Sequence, residues 1–298
     1  MSNLEISRAE RLDQYVVRQL PSLSRAYANR LIALGKVTVN GLKVSKPGYK
    51  IRPADKIKIE YEASEALRIP SVTLPILYED EDCVVINKPV GMLSHSKGAF
   101  NPEATVASWL REHIVQLSAA SSLLAQEPAS TGDRTGIVHR LDRATSGVMI
   151  CAKNPPALSW LQKQFAQRKV KKVYQAVVQG SLTTEHAMID MPIERNPKKP
   201  QTFRVGSNGK TALTEYMVLK TGNGLSLLEL RPQTGRTHQL RVHLGHLGHA
   251  IVGDTLYDGQ AAERLFLHAK SLEITIPNRQ RKVFTAAVPP SFNALLRS

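Results

Sequence analysis

The segment Gly136-Ile137-Val138-His139-Arg140-Leu141-Asp142-Arg143-Ala144-Thr145-Ser146-Gly147 sets one carboxylate, Asp142, between two guanidiniums with an imidazole close by. Flanking cations favour the ionised form of a carboxyl group. An anionic oxygen held at the end of a strand is a usable nucleophile. The same residues also describe an Arg–Asp pair that only stabilises a turn, and on the local pattern alone that account is the simpler. A second segment tips the balance: Thr234-Gly235-Arg236-Thr237-His238-Gln239-Leu240-Arg241-Val242-His243. It sets Arg236 at the start of a helix, where Gly235 permits an unusual backbone. An acid in one turn, met by an arginine from another strand–helix junction, makes a fixed and oriented ion pair. Two-carboxylate glycosidase chemistry is disfavoured, because neither turn offers a second acid.

Other signatures fall away. Gly209-Lys210-Thr211 ends like a phosphate-binding loop, but position 204 is Arg where the leading glycine should stand. Gly222-Asn223-Gly224 lacks a third glycine at 227, so it is no dinucleotide fingerprint. Both read as turns. His238, His243, His246 and His249 are the most metal-like cluster, yet a helix through Leu240, Leu244 and Leu247 cannot put all four on one face. We expect no metal site. Cys83 and Cys151 have no paired spacing, which disfavours disulfide and thiolate-zinc frameworks.

Those turns must be held by elements, and the whole chain bounds what these can be. Its 298 residues suggest about two domains. No apolar run approaches the ~20 residues of a membrane span, and no signal peptide is visible. A cytoplasmic protein is expected. The formal charge of +15 points to a polyanionic partner, and nucleic acid is the one expected.

In residues 1–62, Leu12, Tyr15–Val16 and Leu20 recur at helical spacing, and a second periodic run covers residues 26–33. Ser24 is its expected N-cap and Gly35 its stop. Asn40-Gly41 between Val37-Thr38-Val39 and Leu42-Lys43-Val44 is a strong hairpin signal. Residues 63–75 read as a linker. Beyond it strands dominate, at 83–87, 148–152, 174–179, 213–219 and 225–230. Two helices carry the stripes Ala157, Trp160, Leu161, Phe165 and Leu240, Leu244, Leu247. Residues 113–133 fit either a continued helix or a loop.

The first 62 residues resemble the S4 RNA-binding domain, through Arg11-Leu12-Asp13, Ser24-Arg25-Ala26, the run 34–41 and Pro53-Ala54-Asp55. Residues 76–298 resemble the catalytic domain of the RluA-type pseudouridine synthases. Lys88-Pro89-Val90-Gly91, His139-Arg140-Leu141-Asp142 with Thr145-Ser146-Gly147, Lys172-Val173-Tyr174-Gln175-Ala176 and the segment 235–243 match four motifs in order, and Gly253-Asp254 with Tyr257 extends the last. Ala144 departs from the pattern, since an acidic residue is common there.

The resemblance implies an α+β protein: a small helix–helix–hairpin domain, then a mixed, mostly antiparallel β-sheet catalytic domain. It implies cofactor-free isomerisation of uridine in RNA, with large-subunit ribosomal RNA as the expected substrate. Transfer RNA, small-subunit RNA or a non-catalytic role in ribosome assembly are the alternatives. Asp142 would be nucleophile or base, Arg236 its ion-pair partner, and Tyr174 would stack on the target base. Arg140 would fill the gap left by the displaced nucleotide. His139, Arg143, Lys88, Arg25, Arg30, Lys36, Lys169 and Lys171 are assigned to RNA binding. A monomer without an obligate protein partner is expected.

Overall fold

The computed structural model of the chain describes residues 9–20, 23, 25–61, 70–96, 103–117 and 134–297. The chain divides into two units, residues 1–72 with 95–135 and residues 73–94 with 136–298. Ser24 and the part of the 113–133 stretch beyond Leu117 lie outside the described residues, as do residue 62 and positions 63–69 of the expected linker.

In the first unit, β1 (Glu10–Arg11) leads into α1 (Leu12–Gln19) and α2 (Arg25–Ala33). Next come β2 (Val37–Val39), β3 (Leu42–Lys43), β4 (Lys50–Ile51) and β5 (Ile57–Ile59). The β2–β3 turn takes left-handed conformations at Asn40 and Gly41 (φ 53° and 81°), as a tight hairpin requires. Gly35, at φ 69°, ends α2. Leu12, Tyr15, Val16, Leu31, Ile32, Val37, Val39, Ile51 and Ile57 form the core. Asp13 lies 1% exposed beneath it, gripped by Arg11 (2.9 Å) and Arg25 (2.8 Å). Burial alone would raise its carboxyl pKa; the hydrogen bonds from the two arginines outweigh that and lower it. Further along, α3 (Val106–Leu117) opens with a reciprocal box in which Thr105 and Ser108 each accept the other's amide. The helical alternative for residues 113–117 is thus the one adopted.

The second unit is built on a nine-stranded sheet, with β6 (Ile76–Glu79), β7 (Cys83–Lys88), β8 (Ser146–Ala152), β9 (Lys171–Gln179) and β10 (His186–Asp190). A two-stranded ribbon of β11 (Ile193–Arg195) and β12 (Phe203–Val205) stands apart from it. The long hairpin β13 (Leu213–Gly222) and β14 (Leu225–Pro232) turns at Asn223-Gly224, and β15 (Leu267–Thr275) and β16 (Arg281–Thr285) complete the sheet. Its order is β10-β13-β14-β9-β15-β8-β7-β6, with β16 also on β15. Every described pair is antiparallel except β15 with β8, which meet over two rungs, His268–Ser146 and Ala269–Gly147. A Cβ at Gly147 (φ 117°) would lie 2.2 Å from the Ala269 carbonyl oxygen, so only glycine admits this approach.

Three helices dress the sheet: α4 (Pro155–Ala166), α5 (Gln239–His246) and α6 (Ser291–Ala294). Two prolines open α4 and the Asn154 side chain caps it, accepting the Ala157 amide at 2.9 Å. Ala157 and Leu161 of α4 pack with β7, β8 and the far half of β15, whereas Leu240 and Leu244 of α5 pack with β9 and β14. The core therefore divides along β15, which contributes Leu267 to one half and Leu272 and Ile274 to the other. Among the described residues no helix is long and apolar enough to cross a membrane.

Candidate active site

The turn before β8 is pinned from below. Ser94 brackets Leu141, donating its hydroxyl to the Leu141 carbonyl (2.8 Å) and accepting the Leu141 amide (3.1 Å). The Arg143 carbonyl accepts the Gly91 amide at 2.8 Å, and the Asp142 carbonyl accepts the Thr145 amide at 3.0 Å. Lys88 is fully buried, with its ammonium on the carbonyls of Pro89 and Met92 (both 2.9 Å) and of Arg143 (3.4 Å). The Lys-Pro-Val-Gly motif thus braces the aspartate turn. Lys88, expected to contact RNA, instead spends its donors on backbone, away from solvent.

Burial pulls the Lys88 ammonium down to about 7, against the upward pull of Asp142. An unfolded lysine titrates near 10.4, so between about pH 7 and 10 the unfolded chain holds a proton that the native one releases. Stability should rise with pH across that window. Urea unfolding at pH 7 and 9 should show Lys88→Met lacking about 2 kcal/mol of the wild-type increase, at ~1.4 kcal/mol per unit of pH. An identical increase in both proteins would refute this.

A second turn is fixed by Gln239. Its side-chain carbonyl accepts the Thr234 hydroxyl (2.7 Å) and the Arg236 amide (3.0 Å), while its amide donates to the Leu213 carbonyl and the Thr214 hydroxyl. The helix consequently starts at Gln239, not at Arg236, and the unusual backbone falls on His238 (φ 56°) rather than on Gly235. A non-glycine residue held there is strained by about 1–3 kcal/mol. With this backbone, His238 Nε2 lies 3.8 Å from Asp142 Oδ2.

Between these turns lies a cavity of about 480 Å³. Its walls bring together Asp142, Tyr174, Arg236, Arg140 and His139, together with Arg168, Lys172, His238 and Arg241. Asp142 Oδ2 lies 3.8 Å from both His238 Nε2 and Arg241 Nη1. Arg236 points elsewhere, its Nε donating to the Thr211 carbonyl at 2.9 Å. The guanidinium beside Asp142 is therefore Arg241, because the later helix start puts Arg241 on the buried face. Arg241 is anchored by a two-pronged pair with Asp254 (2.6 and 2.7 Å) and lies over the Tyr257 ring at 5.0 Å.

The Tyr257 hydroxyl accepts the Phe203 amide at 3.0 Å and lies 2.7 Å from His238 Nδ1. Donation of its proton to Nδ1 leaves the imidazole proton on Nε2, facing Asp142. Burial lowers the His238 pKa, opposed by the Asp142 charge. Burial and Asp142 both raise that of the Tyr174 hydroxyl, so this ring enters the cavity neutral. Tyr174 sits mid-strand, paired with Leu230 and Ala269.

The remaining assignments separate. Arg140 is exposed at the cavity wall, whereas Arg143 is exposed outside its lining. His139 is half-buried in the cavity wall: its ring stacks on Phe165 (4.6 Å), Nε2 accepts the Ile150 amide, and burial pulls its pKa to about 3. Lys169 and Lys171 are exposed after α4, and Lys171 pairs with Glu273 (3.3 Å). Lys172, read as one more basic residue of that run, instead turns inward to the Thr234 carbonyl (3.1 Å), and burial lowers it to about 8. Arg30 and Lys36 are exposed in the first unit, and Arg25, 53% exposed, serves Asp13. The histidines expected not to hold metal have separate partners: His243 meets Thr214 and Met191, and His249 meets Gln179.

Sequence reasoning missed Arg241, His238, Tyr257 and Lys172. Arg241 had a signal, since it lies between Leu240 and Val242 on an apolar helix, with Asp254 thirteen residues on. A charge on such a face needs a buried partner.

The turn-held aspartate, the tyrosine strand and the arginine helix define a class. The chain belongs to the RNA pseudouridylate synthase family, which it matches over residues 82–246, and an S4 domain is matched at residues 10–57. It is therefore an RNA-binding pseudouridine synthase, an isomerase. It is 38% identical over 297 residues to ribosomal large subunit pseudouridine synthase D of Borreliella burgdorferi, covering 95% of this chain and 88% of that one. It is 39% identical to an uncharacterized RNA pseudouridine synthase of Aquifex aeolicus, covering 83% and 77%. Among solved structures it resembles human RNA pseudouridylate synthase domain containing 1, with TM-score 0.60, 29% identity, and 76% and 89% of the two chains covered.

Proposed function

We propose that the protein converts specific uridines of large-subunit ribosomal RNA to pseudouridine, with Asp142 as catalytic nucleophile or base. The observation that carries this is the Asp142 carboxylate in the cavity wall, 3.8 Å from Arg241 and His238, with Tyr174 lining the same space. The N1–C1′ bond breaks, the uracil turns, and C5 joins C1′; the proton lost at C5 is matched by one gained at N1. No atom is added or removed. The target base must leave its stack, at a cost of a few kcal/mol. Stacking on Tyr174, worth about 1–3 kcal/mol, and insertion of the exposed Arg140 offset that cost. Arg236 lines the cavity as an RNA contact, and Arg241 with His238 faces Asp142 and favours its charged form.

The S4-like module at 1–62, joined by residues 63–75 to a catalytic domain at 76–298, adds phosphate contacts through Arg30, Lys36 and the outer edge of Arg25. Arg143, Lys169 and Lys171 add others. The large-subunit target follows from the name that relatives such as the Borreliella protein carry. The protein works as a monomer in the cytoplasm without an obligate protein partner. Mapping pseudouridines across ribosomal and transfer RNA in cells with and without the protein tests this reading. Loss of one or more sites in large-subunit RNA is expected. Losses confined to transfer or small-subunit RNA would overturn the target, and no loss anywhere would overturn the activity.

A further inference from the structure

A second cavity, of about 450 Å³, opens beside the first. Its walls are the β11–β12 ribbon, with Arg195 and Phe203, the turn 208–210 with Lys210, and Gly235–Thr237. Gly235, Arg236 and Thr237 also line the catalytic cavity, so the two spaces share a wall.

We propose that this cleft is a second nucleotide subsite, taking the base and phosphate of a residue next to the target uridine in single-stranded RNA. The inference rests on the reading of the protein as a uridine-modifying enzyme and extends it to substrate selection.

Charge is the first argument. Arg195, Lys210 and Arg236 line the cleft against one carboxylate, Glu194, which is already paired with Arg204 at 2.7 Å. The surplus is cationic, as a phosphate requires. Stacking is the second. The Arg195 guanidinium lies over the Phe203 ring at 5.1 Å, and Nη1 donates to the Pro200 carbonyl. An exposed guanidinium plane backed by an aromatic ring is a platform on which an unpaired base can lie. Phe203 in turn meets the His238 ring edge-on at 5.8 Å, and His238 stands 3.8 Å from Asp142. The platform thus leads directly to the reaction centre.

Preorganisation is the third. Ile193 and Lys210 exchange two backbone hydrogen bonds, at 3.0 and 2.9 Å, which tie the turn to the ribbon. Gly209 has no room for a side chain, since a Cβ there would lie 2.5 Å from the Ile193 backbone. The cleft is therefore built into the fold. An acidic peptide would also meet the charge, but the wall shared with the uridine-binding cavity favours the same RNA strand.

The test uses the full chain carrying Arg195→Ala and Lys210→Ala together. With a 15-nucleotide oligouridylate as probe, affinity should fall roughly tenfold at low salt, and the slope of log affinity against log salt should flatten by about 0.7 for each phosphate that the variant no longer neutralises. On an RNA carrying a uridine that the wild type modifies, KM should rise roughly tenfold while kcat falls less than threefold. An unchanged salt slope, or a loss confined to kcat, would overturn the subsite. The binding readout needs no turnover, so absence of wild-type product counts against the enzymatic reading and leaves the subsite judged by the slope.

Discussion

Replacing Asp142 by asparagine is expected to lower pseudouridine formation by at least about 10⁴-fold, as removal of a reacting group does in other enzymes. RNA affinity should change by less than about threefold, because phosphate contacts dominate binding and Asp142 makes none. The variant should also fold. Asparagine keeps the shape, the backbone of the turn is held by Ser94, Gly91 and Lys88, and the side chain's charged neighbours stand at 3.8 Å, beyond hydrogen-bond reach. Single-turnover assays with filter binding on the same preparation check both halves. Normal turnover in the variant would remove Asp142 from the mechanism; a marked drop in affinity would mean that the carboxylate organises RNA rather than reacts.

The other large effect is at Arg241. Arg241→Ala leaves the Asp254 carboxylate, 2% exposed, without its two-pronged partner. Breaking such a pair from one side typically costs about 3–5 kcal/mol. Arg241→Lys should recover only part, since an ammonium cannot fill both prongs. Activity should fall in both variants, because the same guanidinium faces Asp142. The double change Arg241→Met with Asp254→Leu should be less destabilising than Arg241→Ala, as an apolar pair leaves no stranded charge. Urea denaturation of the four proteins measures these differences. Equal stability of Arg241→Ala and wild type would show that the pair adds nothing to the fold.

The sequence signalled the local elements best. Asn40-Gly41 and the flanking β-rich triplets announced their hairpin, and the apolar stripes announced α4 and α5. Asp142 and Tyr174 could be singled out because their motif residues stand in order in the chain, Ala144 aside. The partner of Asp142 could not, since Arg236 and Arg241 are five residues apart and differ only in where the helix begins. That start depends on a side chain, Gln239, folding back on Thr234 and Arg236. Lys88 misled for a related reason: a lysine in a motif looks like a phosphate ligand until the carbonyls around it are known. The ribbon β11–β12 and the strands β10, β15 and β16 went unread, because their neighbours come from remote parts of the chain.

The place of β15 bears on how the protein is made. Residues 267–275 sit between β9 and β8 and are the only described link between the two halves of the sheet. While the chain is being synthesised, β6, β7 and β8 can pair, and so can β9, β14, β13 and β10. Asp142 belongs to the first group, and Tyr174 with the Arg241 helix to the second. Until β15 emerges, no described strand pairing brings the carboxylate to the tyrosine. A nascent chain can display its basic surfaces and engage RNA well before it can alter a base, so competence arrives in one late step, when a strand near the C-terminus closes the gap.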